Sequence, residues 1–176
     1  MAVVHVKSSQ ITNLDANPTV ALTAGEGGSV ALKLIDGTAT LTASATIDST
    51  IQLVRIPSNA KVKKVFFETA AQTSGALDIG LYYATDGQGQ KPLVLLASNA
   101  IDQDFFASAV VVTGTVAITD VTNESLTYTA DKRLQPIWQA VGLSADPGGS
   151  FDIAATITTN TTTAAAVMGL TVMYTD

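Results

Sequence analysis

Residues 51–83, IQLVRIPSNAKVKKVFFETAAQTSGALDIGLYY, constrain the fold most, because three apolar runs lie there with only turn-sized breaks between them. The runs are 51–56, 62–67 and 76–83. Pro57-Ser58-Asn59 makes the first break: the proline fixes its own φ and has no N–H for a ladder, and Ser-Asn favours turning. Gln72-Thr73-Ser74-Gly75 makes the second. In 76–83 the side chains of Leu77, Ile79, Leu81 and Tyr83 recur at every second residue, the period of a strand with one buried face. Val65 and Phe67 alternate on one side of the middle run and Val62 and Phe66 lie on the other, which predicts a central strand covered on both faces. The three runs read as a meander in the middle of a β-sandwich.

The rest of the chain agrees with an all-β class. Short runs of Ala, Val, Leu and Ile are interleaved with threonine, and β-branched residues suit pleated surfaces. A strand is expected over 30–35, closed by Asp36-Gly37, a hairpin signal. Ala39, Leu41, Ala43, Ala45 and Ile47 then alternate with threonines and a serine, one face buried and one wet. Further strands are expected at 92–96, 110–112, 115–121, 151–157 and 168–174, with the threonine-rich tract 156–163 as a hairpin tip. Two helical turns are predicted. Asp102 and Asp104 would cap one before Phe105-Phe106, and Leu134, Ile137, Trp138 and Val141 have helical spacing, with Pro136 in the first turn and Gly142 near the end. Asp146-Pro147-Gly148-Gly149 is a turn. The expectation is nine or ten antiparallel strands in two sheets, arranged as a jelly roll. An extended N-terminal arm over 1–18 precedes one sandwich domain over 19–176.

Composition narrows function by exclusion. A chain of 176 residues with 47% hydrophobic and 14% charged residues has enough apolar surface for one core. Without cysteine there can be no disulfide, thiol nucleophile or Cys-ligated zinc, which suits synthesis in a reducing cytoplasm. No apolar run reaches the length of a membrane helix, and the first residues, MAVVHVKSSQ, lack the pattern of a signal peptide. The net charge of −6 opposes nucleic-acid binding, and Lys61, Lys63 and Lys64 are too few to reverse it.

Reactive constellations are scarce. His5, the single histidine, lies in the arm, without a fixed partner to orient it as a base. No Gly-x-Ser-x-Gly elbow occurs. Most carboxylates adjoin Gly, Pro or Asn and serve turns; a glycosidase would need two of them held across a groove. Asp102-Gln103-Asp104 starts like a calcium loop but lacks the glycine and the closing glutamate. The glycine-rich segments 25–28 and 87–89 lack the following lysine and helix of a phosphate cradle. Trp138 reads as core packing. No catalytic residue, metal ligand or cofactor is assigned. The reading is non-enzymatic, and the residues put forward for partner binding are Val3, Val4, His5 and Val6 of the arm.

Three stretches together give a resemblance. IQLVRIP with AKVKKV, LDIGLYY followed by IDQDFFA, and Pro136-Ile137-Trp138 through Gly142-Leu143 and Asp146-Pro147-Gly148 to Phe151 resemble small virion structural proteins of tailed bacteriophages, of the capsid decoration (cement) type. The likeness covers roughly residues 50–176 and consists of turn and core positions. It implies a shell protein, a homotrimer on the outer capsid surface, made in the host cytoplasm. It further implies that the chain bridges neighbouring subunits, with the major capsid protein and itself as partners, and no nucleic acid or membrane. The alternative is a carbohydrate- or receptor-binding module of a tail or fibre, which would expose aromatics such as Tyr82, Tyr128 or Trp138 in one groove. A jelly-roll hydrolase is the third reading.

Overall fold

The computed structural model describes residues 18, 31–41, 45–84, 100–161 and 166–176. Within them lie eight strands: β1 (Lys33–Thr40), β2 (Thr50–Pro57), β3 (Lys61–Gln72), β4 (Ala76–Tyr83), β5 (Ala100–Val111), β6 (Gly114–Asp120), β7 (Ser150–Thr159) and β8 (Val167–Thr175). A 3-10 turn (Lys132–Leu134) and one short helix, α1 (Ile137–Ala140), precede β7. The strands form two antiparallel four-stranded sheets, ordered β1-β8-β3-β6 (sheet I) and β2-β7-β4-β5 (sheet II). The all-β sandwich expected from the sequence is therefore present, with eight strands among the described residues rather than nine or ten. The expected strand at 92–96 and the arm residues Val3, Val4, His5 and Val6 lie outside the described residues.

The sandwich core draws on both sheets. Val62, Val65, Phe67, Met168, Leu170 and Val172 of sheet I meet Val54, Ile56, Leu77, Ile79, Leu81, Phe151, Ile153 and Ile157 of sheet II, all buried. Each such large side chain contributes roughly 1.5–3 kcal/mol when fully withdrawn from water. The alternations read in the last two strands hold: Phe151, Ile153, Ala155 and Ile157 point inward, as do Met168, Leu170 and Val172. Ile137 of α1 is fully buried beneath one end, where its N–H donates to the Ala60 carbonyl (2.8 Å), and Gly142 ends the turn after α1 at φ +91°.

Several local expectations fail for identifiable reasons. Residues 51–83 are not a meander in one sheet, since β3 belongs to sheet I while β2 and β4 belong to sheet II. In β3 a register shift between Val62 and Lys64 resets the alternation, so Val62 joins Val65 and Phe67 in the core while Phe66 faces out and is half-buried. Asp36-Gly37 is no hairpin: β1 runs through it in unbroken register with β8. The glycine serves close approach instead, because a Cβ there would sit 1.8 Å from the Leu53 carbonyl oxygen. The turn comes later, at 46–49, where Asp48 takes φ +67° and Ile47 is exposed rather than inward.

Asp102 and Asp104 do not cap a helix; they lie within β5. That strand defied periodicity because its register against β4 shifts repeatedly. Ile79 pairs with Ala107 but Leu81 with Asp102, so β5 carries extra residues between those pairings. The 156–163 tract is no hairpin tip either, as β7 and β8 lie in different sheets.

Candidate interaction surface

Most of the described carboxylates are taken up in structural duties. Asp152 of β7 is buried and takes both Arg55 Nε (2.5 Å) and an Arg55 terminal nitrogen (2.9 Å) from the register partner on β2, with Gln52 Nε2 at 2.8 Å. Asp78 accepts from the Ala109 N–H (2.7 Å) and Gln103 Nε2 (3.0 Å). Glu124 accepts from the Ser108 N–H (2.7 Å), and Asp146 closes its turn by accepting from the Gly148 N–H (2.8 Å). Burial would raise the Asp120 carboxyl, but Lys64 and Thr122 hold it below the ordinary value. Asp102 goes the other way, raised by burial and by Asp104 beside it. Among the described residues no three or more His, Asp or Glu side chains gather as a metal site would require.

The basic cluster is also tied into the fold. Lys64 pairs with Asp120, and Lys63 Nζ donates to the Arg133 carbonyl at 2.9 Å. The Lys63 ammonium is lowered by burial and by neighbouring Lys61 and Arg133.

The aromatic groove needed for sugar stacking is not formed by the residues considered for it. Tyr82 is fully buried on the outer side of sheet II, its hydroxyl hydrogen-bonded to Thr156 Oγ1. Tyr128 is fully buried against Phe105 and Phe106, with ring centroids 5.2 Å away, and donates to the Val62 carbonyl (2.8 Å). Burial pushes its phenol well above the usual range. Trp138 is half-buried and packs against the main core, as expected.

Among the described residues, the outer side of sheet I is open to a partner. Leu34, Met173 and Lys64 make one row across β1, β8 and β3, and Asp36, Thr171 and Phe66 the next. Leu34 and Val167 are exposed, and Phe66, Thr171 and Met173 are half-buried. Lower on this face a shallow groove of ≈ 300 Å³ runs between β3, β6 and β8, walled by Glu68, Ala70, Thr115, Ala117 and Val167 over Gly169. β1 and β6 are the edge strands of sheet I, as β2 and β5 are of sheet II.

A second feature lies in the loop 121–128, which the sequence reading passed over. Its Ser125 N–H donates to the Phe106 carbonyl (3.1 Å), Ser125 Oγ donates to the Phe105 carbonyl (3.1 Å), and Ser125 Oγ accepts from the Thr127 N–H (3.2 Å). Leu126 stands at the tip at φ +63° and is 75% exposed. A lone leucine within Thr-Asn-Glu-Ser-Leu-Thr was the signal available in the sequence.

No family model matches the chain, and no curated protein matches it. Solved structures do. One chain of "Capsid of Ralstonia phage GP4" superposes with a TM-score of 0.57 at 15% identity, covering 89% of this chain and 88% of that one. A chain of "Cyanophage Pam1 capsid asymmetric unit" superposes with a TM-score of 0.50 at 14% identity, covering 92% and 96%. At these identities the likeness establishes a shared fold.

Proposed function

We propose that this protein is a non-enzymatic structural component of a tailed-phage virion that decorates an assembled capsid and stabilises it by bridging neighbouring subunits. The observation that carries the reading is two-way coverage: nearly all of this chain matches nearly all of a chain from each of two phage capsids. The matched chains are thus about as long as this one, which supports equivalence of whole subunits rather than a shared piece. Eight strands in two four-stranded sheets, with most connections crossing between the sheets, further support a jelly-roll reading of the topology. The half-exposed outer side of sheet I supplies a surface for contact, and the buried or paired carboxylates supply little for chemistry.

In this reading the chain acts on the outside of the shell as a homotrimer, with the major capsid protein as partner. The arm over 1–18, including Val3, Val4, His5 and Val6, orders on contact with a neighbour. A ligand that binds only the assembled state stabilises that state by mass action.

The test is add-back. Source particles stripped of this chain are titrated with purified protein, and occupancy is read by cryo-EM alongside the heat resistance of the shell. Saturable binding that raises the rupture temperature is expected, and deletion of residues 2–17 is expected to weaken it. Absence of binding by the intact chain overturns the reading; undiminished occupancy by the truncated chain overturns the role of the arm.

A further inference from the structure

The Leu126 tip and the β3–β6–β8 groove are complementary features on one chain, and we propose that they join copies of it: the leucine of one subunit inserts into the groove of the next. Leucine at positive φ is uncommon, because its Cβ crowds the backbone there, and glycine or asparagine takes such positions more readily. This leucine is also the most exposed large apolar side chain among the described residues. Neither property helps a free monomer, yet the loop is not slack. Ser125 fastens it to the backbone of Phe105 and Phe106, Glu124 receives the Ser108 N–H, and Tyr128 anchors its far end in the aromatic cluster. A braced apolar tip of this kind is preorganised, so little ordering entropy is lost when it is buried.

The groove is its counterpart. Ala70, Ala117 and Val167 give it apolar walls beside Thr115, and the exposed Glu68 side chain, which lies against Gly169, must swing aside as the leucine enters. Its ≈ 300 Å³ exceeds what an isobutyl group needs. The tip and the groove occupy different parts of the surface, with the groove beside the first residues of β6 and the tip in the loop after its last. A contact between two unlike patches is heterologous, and it closes into a ring when the rotation between subunits allows. The proposal names the contact for the self-association in the preceding section and rests on that reading only for ring closure.

The experiment uses sedimentation equilibrium on the full chain and on two variants. Leu126→Asn relieves the backbone strain while removing the tip, and Ala117→Trp, at an exposed site, fills the groove. The wild type is expected to self-associate, and each variant to do so at least about tenfold more weakly, as for loss of a central interface anchor. Thermal melts of the monomers are expected to show Leu126→Asn unchanged or raised, which separates lost contact from lost fold. Mixing the two variants restores one intact tip and one intact groove, so a heterodimer that stops at two subunits is expected. A monomeric wild type, undiminished association of Leu126→Asn, or a mixture that stays monomeric overturns the proposal. Normal association with lost shell binding for Leu126→Asn also overturns it, assigning the tip to the shell. Failure of the wild-type chain to bind shells while it still forms rings counts against the capsid reading alone.

Discussion

On the outer side of β7 and β4, Asp78, Asp152, Ala154, Thr156 and Tyr82 are all buried, whereas on the outer side of β3 and β8, Phe66, Thr171 and Met173 keep part of their surface in solvent and Glu68 is exposed. The central strands of sheet II therefore have packed contacts on both faces. Tyr82 and Ala154 form a small cluster of their own with Ala100, and the β5 backbone crosses directly over Gly80. Sheet I has one packed face and one that keeps contact with water. The difference teaches where specificity for a partner can reside: a surface already filled by the chain's own atoms has nothing to offer, and an unfilled one does.

Paired substitutions break or sharpen that contrast. Tyr82→Ala is expected to destabilise the domain most, by about 3–5 kcal/mol, as a fully buried aromatic leaves a cavity; Phe66→Ala, its counterpart on sheet I, is expected to lose about 1 kcal/mol. Urea melts of both decide it, and equal losses would erase the distinction between the faces. Gly80→Ala is expected to lose about 3 kcal/mol, because rigid backbone obstructs the new methyl: the Gln103 carbonyl oxygen would stand 2.1 Å from it. Gly169→Ala meets only the exposed Glu68 side chain, its carboxylate oxygen at 3.0 Å and Cγ at 3.1 Å, which can swing away. A change within about 0.5 kcal/mol is expected there.

The smallest effect concerns pH. Burial and the adjacent Asp104 raise the Asp102 carboxyl above 3.8 in the folded protein. Its contribution to stability is thus fully present below 3.8 and is lost as pH rises through the folded value. Asp102→Asn, which cannot ionise, is expected to melt slightly higher than the parent at neutral pH, with the gap closing in strong acid. A gap independent of pH would mean that packing, not charge, is responsible.

The strands β4, β7 and β8 were legible because their apolar side chains recur at every second residue toward the core, although in β4 and β7 the other face is buried too, and Tyr83, expected inward, is exposed while Tyr82 is buried. β3 and β5 were not, because register shifts reset the phase of Val62 and separate the pairings of Asp102 and Ala107 without any signature in residue type. Asp36-Gly37 shows the same ambiguity in a turn signal: glycine marks a tight bend and a close crossing alike, and only Leu53, brought near by the fold, distinguishes them. Sheet membership is wholly non-local, which is why three neighbouring runs looked like one meander. Of the contacts proposed above, the arm residues were put forward from composition alone and lie outside the described residues, whereas Leu126 and the groove depend on exposure and on chain segments distant in sequence.

The position of β8 has a consequence for biogenesis. Residues 167–175 lie between β1 and β3, so β1 has no lateral partner until this segment exists and stays apart from the β3–β6 pair. The chain must be synthesised through residue 175 before sheet I can close on sheet II. Acquisition of structure is then late and abrupt, governed by distant pairings, and a shortened chain lacking those nine residues would be a target for quality control rather than a weaker subunit.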